Sequence, residues 1–343
     1  MNIDILCNKL ELYGIRGIPL KLFRSFLTNR QSKVTFGNIS SEIITTNIGI
    51  PQGSALGPLL FLIYNNDLPS APQDIKTTLF ADDTALSISH QNYDTLKNTI
   101  NHNLVIMKDW MISNRLTLNA EKTVAILITN RNNNHSNSDL NIHNSLIPFS
   151  THCTYLGTII DTNLNFSSHI LAIKAKVSRN TGIFYRIRKS LTLDARLKFY
   201  YSLIYPFLSN NIIIWGGAPH THLNTLIRQQ KKILRLIGDK HYLEHTDPLF
   251  KQYNLLKIND IYKLNVLTYI HKKNIGSIYH TTHSYDTRNS NSFRPTFQRL
   301  SKTQNSIDFV GPKFWNELPD SIKNTCNYNS FKFKVKKFLL DKY

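Results

Sequence analysis

The feature that most constrains this chain is a pair of adjacent carboxylates, Asp82 and Asp83, set between two short runs of extended pattern. Thr77-Thr78-Leu79-Phe80-Ala81 and Thr84-Ala85-Leu86-Ser87-Ile88 read as strands, and the aspartates join them. Such a hairpin holds both charges at one tip. Like charges that close repel unless a cation lies between them, and oxygen-only ligation by a few carboxylates suits Mg²⁺ at phosphoryl-transfer sites. Taken alone, the pair also reads as an ordinary turn, where Asp is common.

A second constraint lies upstream. Gly49-Ile50-Pro51-Gln52-Gly53-Ser54-Ala55-Leu56-Gly57-Pro58 is a loop whose glycines permit close backbone approach to a ligand, with Gln52 and Ser54 as polar groups. It leads into an apolar helix expected over Leu59 to Leu68 and closed by Pro69. Free N–H groups at that helix start would favour an anion such as phosphate. A plain Gly/Pro turn before a core helix is the other reading.

Around these motifs the pattern is mixed. Helical spacing marks Ile3 to Leu12 and Leu20 to Leu27, and Ser32 to Ile48 suggests a hairpin about Gly37-Asn38. An amphipathic helix is expected over Tyr93 to Asn114, with Leu96, Ile100, Leu104, Met107 and Met111 inward. Val124 to Thr129 reads as extended, Asn130 to Asp139 as a polar surface loop, and Leu140 to Ile147 and Tyr155 to Asp161 as short strands. From Ser167 to Gly238 long helical patterns rich in Lys, Arg and aromatic residues take over. Helical pieces at Ile258 to Lys272 and Phe331 to Leu340 follow, with irregular polar segments around Tyr285 to Ser301.

Composition narrows the partner. With 41% hydrophobic residues in 343, the chain can bury a sizeable core. Lys and Arg outnumber Asp and Glu by 41 to 22, a net +19, so a polyanion is expected, nucleic acid first. An acidic membrane surface and a merely basic soluble protein are the alternatives. Cys7, Cys153 and Cys326 form no zinc or disulfide spacing, which fits an intracellular setting, nucleus or cytoplasm. Apolar runs such as Leu59 to Tyr64 and Ile212 to Trp215 fall short of the ~20 residues that span a bilayer, and no secretory leader is visible at Met1. No membrane partner is expected, and the sequence sets no oligomeric state.

The run GIPQGSALGPLLFLIYNNDLP, followed by TTLFADDTAL, resembles motifs B and C of reverse transcriptases from non-LTR retrotransposons of the jockey-like type. Trp110 and Asn114 to Thr123 resemble motif D, and Tyr155-Leu156-Gly157-Thr158-Ile159-Ile160-Asp161 resembles motif E. Tyr285-Asp286-Thr287-Arg288 and Gly311 to Pro319 resemble the ends of such polyproteins.

The resemblance implies an α+β right-hand polymerase. Its palm, an antiparallel sheet with helices, would occupy 1–165, a helical thumb 166–240 and a mainly helical C-terminal region 241–343. The activity implied is RNA-directed DNA synthesis by two-metal nucleotidyl transfer to a primer 3′-hydroxyl, with RNA template, DNA primer and dNTPs as partners. Asp82 and Asp83 would hold Mg²⁺, with Mn²⁺ as a possible substitute. Pro51, Gln52, Gly53 and Ser54 would meet the nucleotide and template, and Lys122 would protonate or stabilise the departing pyrophosphate, although an exposed lysine beside a helix end is an equal reading. Tyr155, Leu156 and Gly157 would form the hairpin that grips the primer end. Lys174, Lys176, Arg179, Arg186, Arg188 and Lys189 would track the duplex backbone. Motif A, which carries a further metal-binding aspartate, stands in the family before a segment like Asn2 to Leu10, where this chain has Met1. The expectation is that motif A and the fingers are missing and that the chain alone has little or no polymerase activity. A non-catalytic nucleic-acid-binding remnant is the alternative.

Overall fold

Asn2, Asn92, Thr192 and Asn327 each stand one residue ahead of a helix and accept a hydrogen bond from its first-turn N–H groups. These caps set where much of the framework begins. The computed structural model describes residues 1–129, 140–142, 145–274, 293 and 298–343, so the polar run Asn130 to Asp139 and the motif Tyr285 to Arg288 lie outside the described residues. The chain divides into two units, Met1–Ala125 with Asn132–Ser150, and Ile126–Arg131 with Thr151–Tyr343.

In the first unit α1 (Ile3–Leu12), α2 (Ile18–Leu27) and α3 (Gly57–Asn65) bury Leu6, Leu10, Leu27, Leu60 and Tyr64. Pro19 sits in the first turn of α2, where its missing N–H costs nothing, so this helix starts ahead of the expected Leu20. Helix α3 likewise starts at Gly57, with Pro58 in its first turn, and stops at Asn65, short of the expected Leu68. Helix α4 (Tyr93–Ser113) is tied to both α1 and α3 through polar side chains. Lys9 Nζ donates to the Tyr64 carbonyl at 2.6 Å and pairs with Asp67 at 2.7 Å, and Trp110 Nε1 donates to the other Asp67 oxygen at 3.3 Å. The Tyr64 hydroxyl donates to the Asn114 carbonyl just past α4.

The strands of this unit are β1 (Arg30–Ser32), β2 (Thr35–Phe36), β3 (Ile39–Ser40), β4 (Ile44–Thr46), β5 (Lys76–Phe80), β6 (Asp83–Ser87), β7 (Asn141–Ile142) and β8 (Ser145–Leu146). Strands β9 (His152–Tyr155) and β10 (Thr158–Asp161) open the second unit. Every ladder among the described residues is two-stranded and antiparallel: β1 with β4, β2 with β3, β5 with β6, β7 with β8, β9 with β10. The fold is therefore α+β, but the antiparallel sheet expected from the sequence takes the form of separate two-stranded ladders: β1 pairs with β4 around the β2–β3 hairpin, and the other ladders are hairpins of consecutive strands. The expected single strands Leu140 to Ile147 and Tyr155 to Asp161 each resolve into part of such a hairpin. Val124 to Thr129 contributes only one bridge, from Ala125 to Phe149.

The second unit continues with α5 (Ser167–Ile187), α6 (Leu193–Leu203), α7 (Tyr205–Ser209), α8 (Ile212–Trp215), α9 (His220–Ile237), α10 (Asp247–Gln252) and α11 (Ile258–Lys273). Helices α12 (Ser301–Gln304), α13 (Ile307–Asn316), α14 (Asp320–Lys323) and α15 (Tyr328–Leu340) complete it. Its core gathers Val177, Phe184, Tyr200, Trp215, Phe250 and Phe331, all buried. Gln230 is a polar hub within that core. Its amide nitrogen donates to the Tyr200 hydroxyl at 3.0 Å and the Leu256 carbonyl at 2.8 Å, while its oxygen accepts the Ile258 N–H at 3.1 Å. Among the described residues no helix is long and apolar enough to cross a membrane.

Candidate functional site

Phe80 pairs with Asp83 at the end of the β5–β6 ladder, so the connecting turn is Ala81-Asp82. The sequence reading placed the joint one residue later. Asp83 belongs to the ladder and Asp82 to the turn. Ala81 adopts φ +51°, a left-handed conformation that costs a non-glycine residue about 1–2 kcal/mol. Both carboxylates are exposed, and neither has a hydrogen bond or ion pair among the described residues.

In the loop before α3, Gly49 and Gly53 take φ +75° and +80°, which suits glycine alone. Ser54 clasps the loop: its hydroxyl donates to the Pro51 carbonyl at 2.9 Å and accepts the Gly57 N–H at 3.0 Å. One N–H group at the observed start of α3 is therefore taken. A Cβ on Gly57 would lie 3.1 Å from the Ser54 Oγ and 3.3 Å from the Pro51 carbonyl, so a side chain there would press on the clasp. Gln52 and Gly53 stay exposed at the loop's crest. Arg30, which the sequence reading did not single out, donates to the Ile48 and Gly49 carbonyls at 2.6 and 3.1 Å and fixes the loop's base.

Lys122 ends a short 3₁₀ turn, Ala120–Lys122, capped by Asn119, and is exposed. Among the described residues no hydrogen bond or ion pair joins Asp82, Asp83, Gln52 and Lys122 to one another. Nor do three His, Cys, Asp or Glu side chains among them cluster as a metal site. Two unengaged carboxylates match the oxygen donors that Mg²⁺ prefers, leaving the rest of its shell to water and phosphate. In donor type the tip fits one such ion. In donor number it falls short of a closed two-ion site.

In the second unit Tyr155 and Thr158 pair across Leu156-Gly157, whose φ values of +47° and +79° form a tight hairpin turn. Asn211 holds this turn, its Nδ2 donating to the Leu156 carbonyl at 3.0 Å and to Thr158 Oγ1 at 2.9 Å. Asp161 receives the N–H groups of Asn163, Asn165 and Phe166 and so steers the chain into α5. His169 Nδ1 accepts the Ile159 N–H at 3.3 Å, and its ring packs edge-on against Trp215. Burial, then the charge of Lys176, holds this imidazole below its usual pKa. The side chains of Asn211 and His169 position the hairpin. Neither carries a local signal, since each acts on residues distant in sequence.

Residues 1–160 match the family described as reverse transcriptase (RNA-dependent DNA polymerase). The chain is also similar to the RNA-directed DNA polymerase from mobile element jockey of Drosophila melanogaster, 27% identical over 263 residues. That match covers 74% of this chain and 28% of the relative. The jockey polymerase of Drosophila funebris is 28% identical over 251 residues, covering 70% of this chain and 27% of the relative. A probable RNA-directed DNA polymerase from transposon X-element of Drosophila melanogaster is 25% identical over 246 residues, again 70% of this chain and 27% of the relative. The matched segment thus spans under a third of the length of these curated relatives.

Proposed function

We propose that this chain, whose residues 1–160 match the reverse transcriptase family, is the palm and thumb portion of a non-LTR retrotransposon RNA-directed DNA polymerase. The observation that carries the reading is the β5–β6 hairpin, which presents Asp82 and Asp83 at its tip with no protein partner to neutralise them. Neighbouring carboxylates left free of protein cations are the oxygen donors that a divalent cation such as Mg²⁺ takes.

Asp82 and Asp83 would hold Mg²⁺, which when bound supplies positive charge against the phosphate oxygens of an incoming dNTP. Gln52 and Gly53, exposed on a loop fixed by Ser54 and Arg30, would meet the nucleotide and the RNA template. Exposed Lys122 would stabilise or protonate the departing pyrophosphate. The turn Tyr155-Leu156-Gly157 would hold the DNA primer end, braced by Asn211. Lys174, Lys176, Arg179 and Arg186 on α5 would follow the duplex phosphates, with Arg188 and Lys189 just beyond it. The palm is assigned to 1–165 and the thumb to 166–240.

With only two carboxylates at the tip among the described residues, the chain alone has little or no polymerase activity. That shortfall favours a second reading, a nucleic-acid-binding remnant without chemistry. Primer extension on an RNA template separates the two. Mg²⁺-dependent synthesis that Asp82→Ala abolishes would overturn the inactivity assignment, while absence of extension combined with salt-sensitive binding of an RNA/DNA duplex would support it.

A further inference from the structure

Helices α5 and α9 lie side by side in the second unit and carry no Asp or Glu at all. Lys174, Lys176, Arg179 and Arg186 stand on one, and Arg228, Lys231, Lys232 and Arg235 on the other. Between them opens a cavity of about 680 Å³, within the size range of small-ligand pockets. Its lining includes Gly182 and Tyr185 from α5, Lys232 and Arg235 from α9, and Lys240 and Tyr242 from the segment that follows. Among the described residues no carboxylate lines it. A Cβ built on Gly182 meets nothing within 4 Å, so a glycine leaves open space there.

The charges and rings are arranged for a ligand that is both anionic and aromatic. Lys232 has no ion-pair partner among the described residues, and Arg235 spends only its Nε, on the Glu244 carbonyl at 2.8 Å. The nearby carboxylates are already engaged: Glu244 pairs with Lys240 at 3.0 Å, and Asp239 with Arg196 at 2.8 Å. The Arg188 guanidinium lies 4.1 Å from the centre of the Tyr185 ring, which steadies that ring while leaving it 55% exposed. Tyr242 is 72% exposed. Unpaired bases stack on exposed rings of this kind while cations hold the intervening phosphates.

We infer that the cleft between α5 and α9 binds single-stranded nucleic acid, its bases stacking on Tyr185 and Tyr242 and its phosphates meeting Lys232 and Arg235. A duplex hides its base faces and would use only the cations, and a phosphorylated peptide would leave the rings without a stacking partner. The cations of this cleft are not those assigned to duplex tracking, and the inference does not rest on the polymerase reading.

Fluorescence anisotropy on the full chain tests it, with labelled oligo-U and oligo-dT of about 12 nucleotides and an RNA/DNA hybrid of the same length. Tyr185→Ala and Tyr242→Ala each weaken single-strand binding about tenfold and leave hybrid affinity within about twofold. Gly182→Leu, placed in open space, fills the cleft and lowers single-strand affinity comparably while circular dichroism stays unchanged. Tighter binding of oligo-U assigns the site to RNA, and tighter binding of oligo-dT to DNA; either supports it. Single-strand affinity unchanged in all three variants, or lost in step with hybrid affinity, overturns the proposal. Neither result bears on whether the Asp82 tip performs chemistry.

Discussion

Replacing Gln230 by leucine is expected to destabilise the second unit strongly although it touches no proposed site. The amide is fully buried and joins α9 to α6 through Tyr200, to the segment before α11 through the Leu256 carbonyl, and to the first N–H of α11 through Ile258. Helix starts have no internal partner for that N–H, so Gln230 caps α11 from a neighbouring helix. Leucine fills similar volume but leaves three buried polar groups unpaired, each costing about 1–3 kcal/mol. Apolar burial by the new side chain returns about 1–2 kcal/mol, so the net loss lies between about 1 and 8 kcal/mol, with a mid-range value of about 4 kcal/mol. With a urea dependence of ~2 kcal/mol per molar, the midpoint of unfolding falls by about 2 M. Urea titration followed by the fluorescence of Trp215, buried in the same core, measures this directly. A shift below about 0.5 M would refute the assignment of Gln230 as the hub that fixes α9.

His169 sets a pH dependence. Burial and Lys176 depress its pKa, so the unfolded chain binds a proton that the folded unit resists. Stability is therefore full above the unfolded value of about 6.5 and declines as pH falls below it. Urea midpoints measured from neutral pH downward should show that decline, and His169→Gln should flatten it in this range. Asn211→Gly keeps the left-handed φ of +51° but removes both hydrogen bonds to the Leu156-Gly157 turn. The expected loss is about 1–2 kcal/mol, with faster amide exchange across β9 and β10. Unchanged exchange would mean the hairpin stands without Asn211.

What the sequence made legible is what short spacing encodes. Helices α1 and α4 lie within two residues of their expected bounds because apolar periodicity and the Asn2 and Asn92 caps are both local; α11 does so as well, although its cap comes from Gln230. The two hairpins that carry motif residues were harder. By residue pattern alone Tyr155 to Asp161 reads as one strand, since no turn residue precedes Gly157; the hairpin there is legible only through the motif E resemblance, and Leu156 turns left-handed within it. At the other hairpin the aspartates look like the turn, yet Ala81 takes the strained position and Asp83 joins the ladder. Glycine and proline marked the loop before α3, but not that Ser54 would spend its hydroxyl closing it. The braces were out of reach: Arg30, Asn211 and Gln230 act on partners many residues away, and their own neighbours give no hint of it.

The central claim is that Asp82 and Asp83 form a metal-binding tip. Mn²⁺ titration of isotopically labelled chain, followed by paramagnetic broadening of amide signals, tests it without requiring activity. Selective broadening at Ala81 to Thr84, reversed by excess Mg²⁺ and abolished by Asp82→Asn with Asp83→Asn, is the expected result. Broadening that is uniform, or that survives the double substitution, would contradict it.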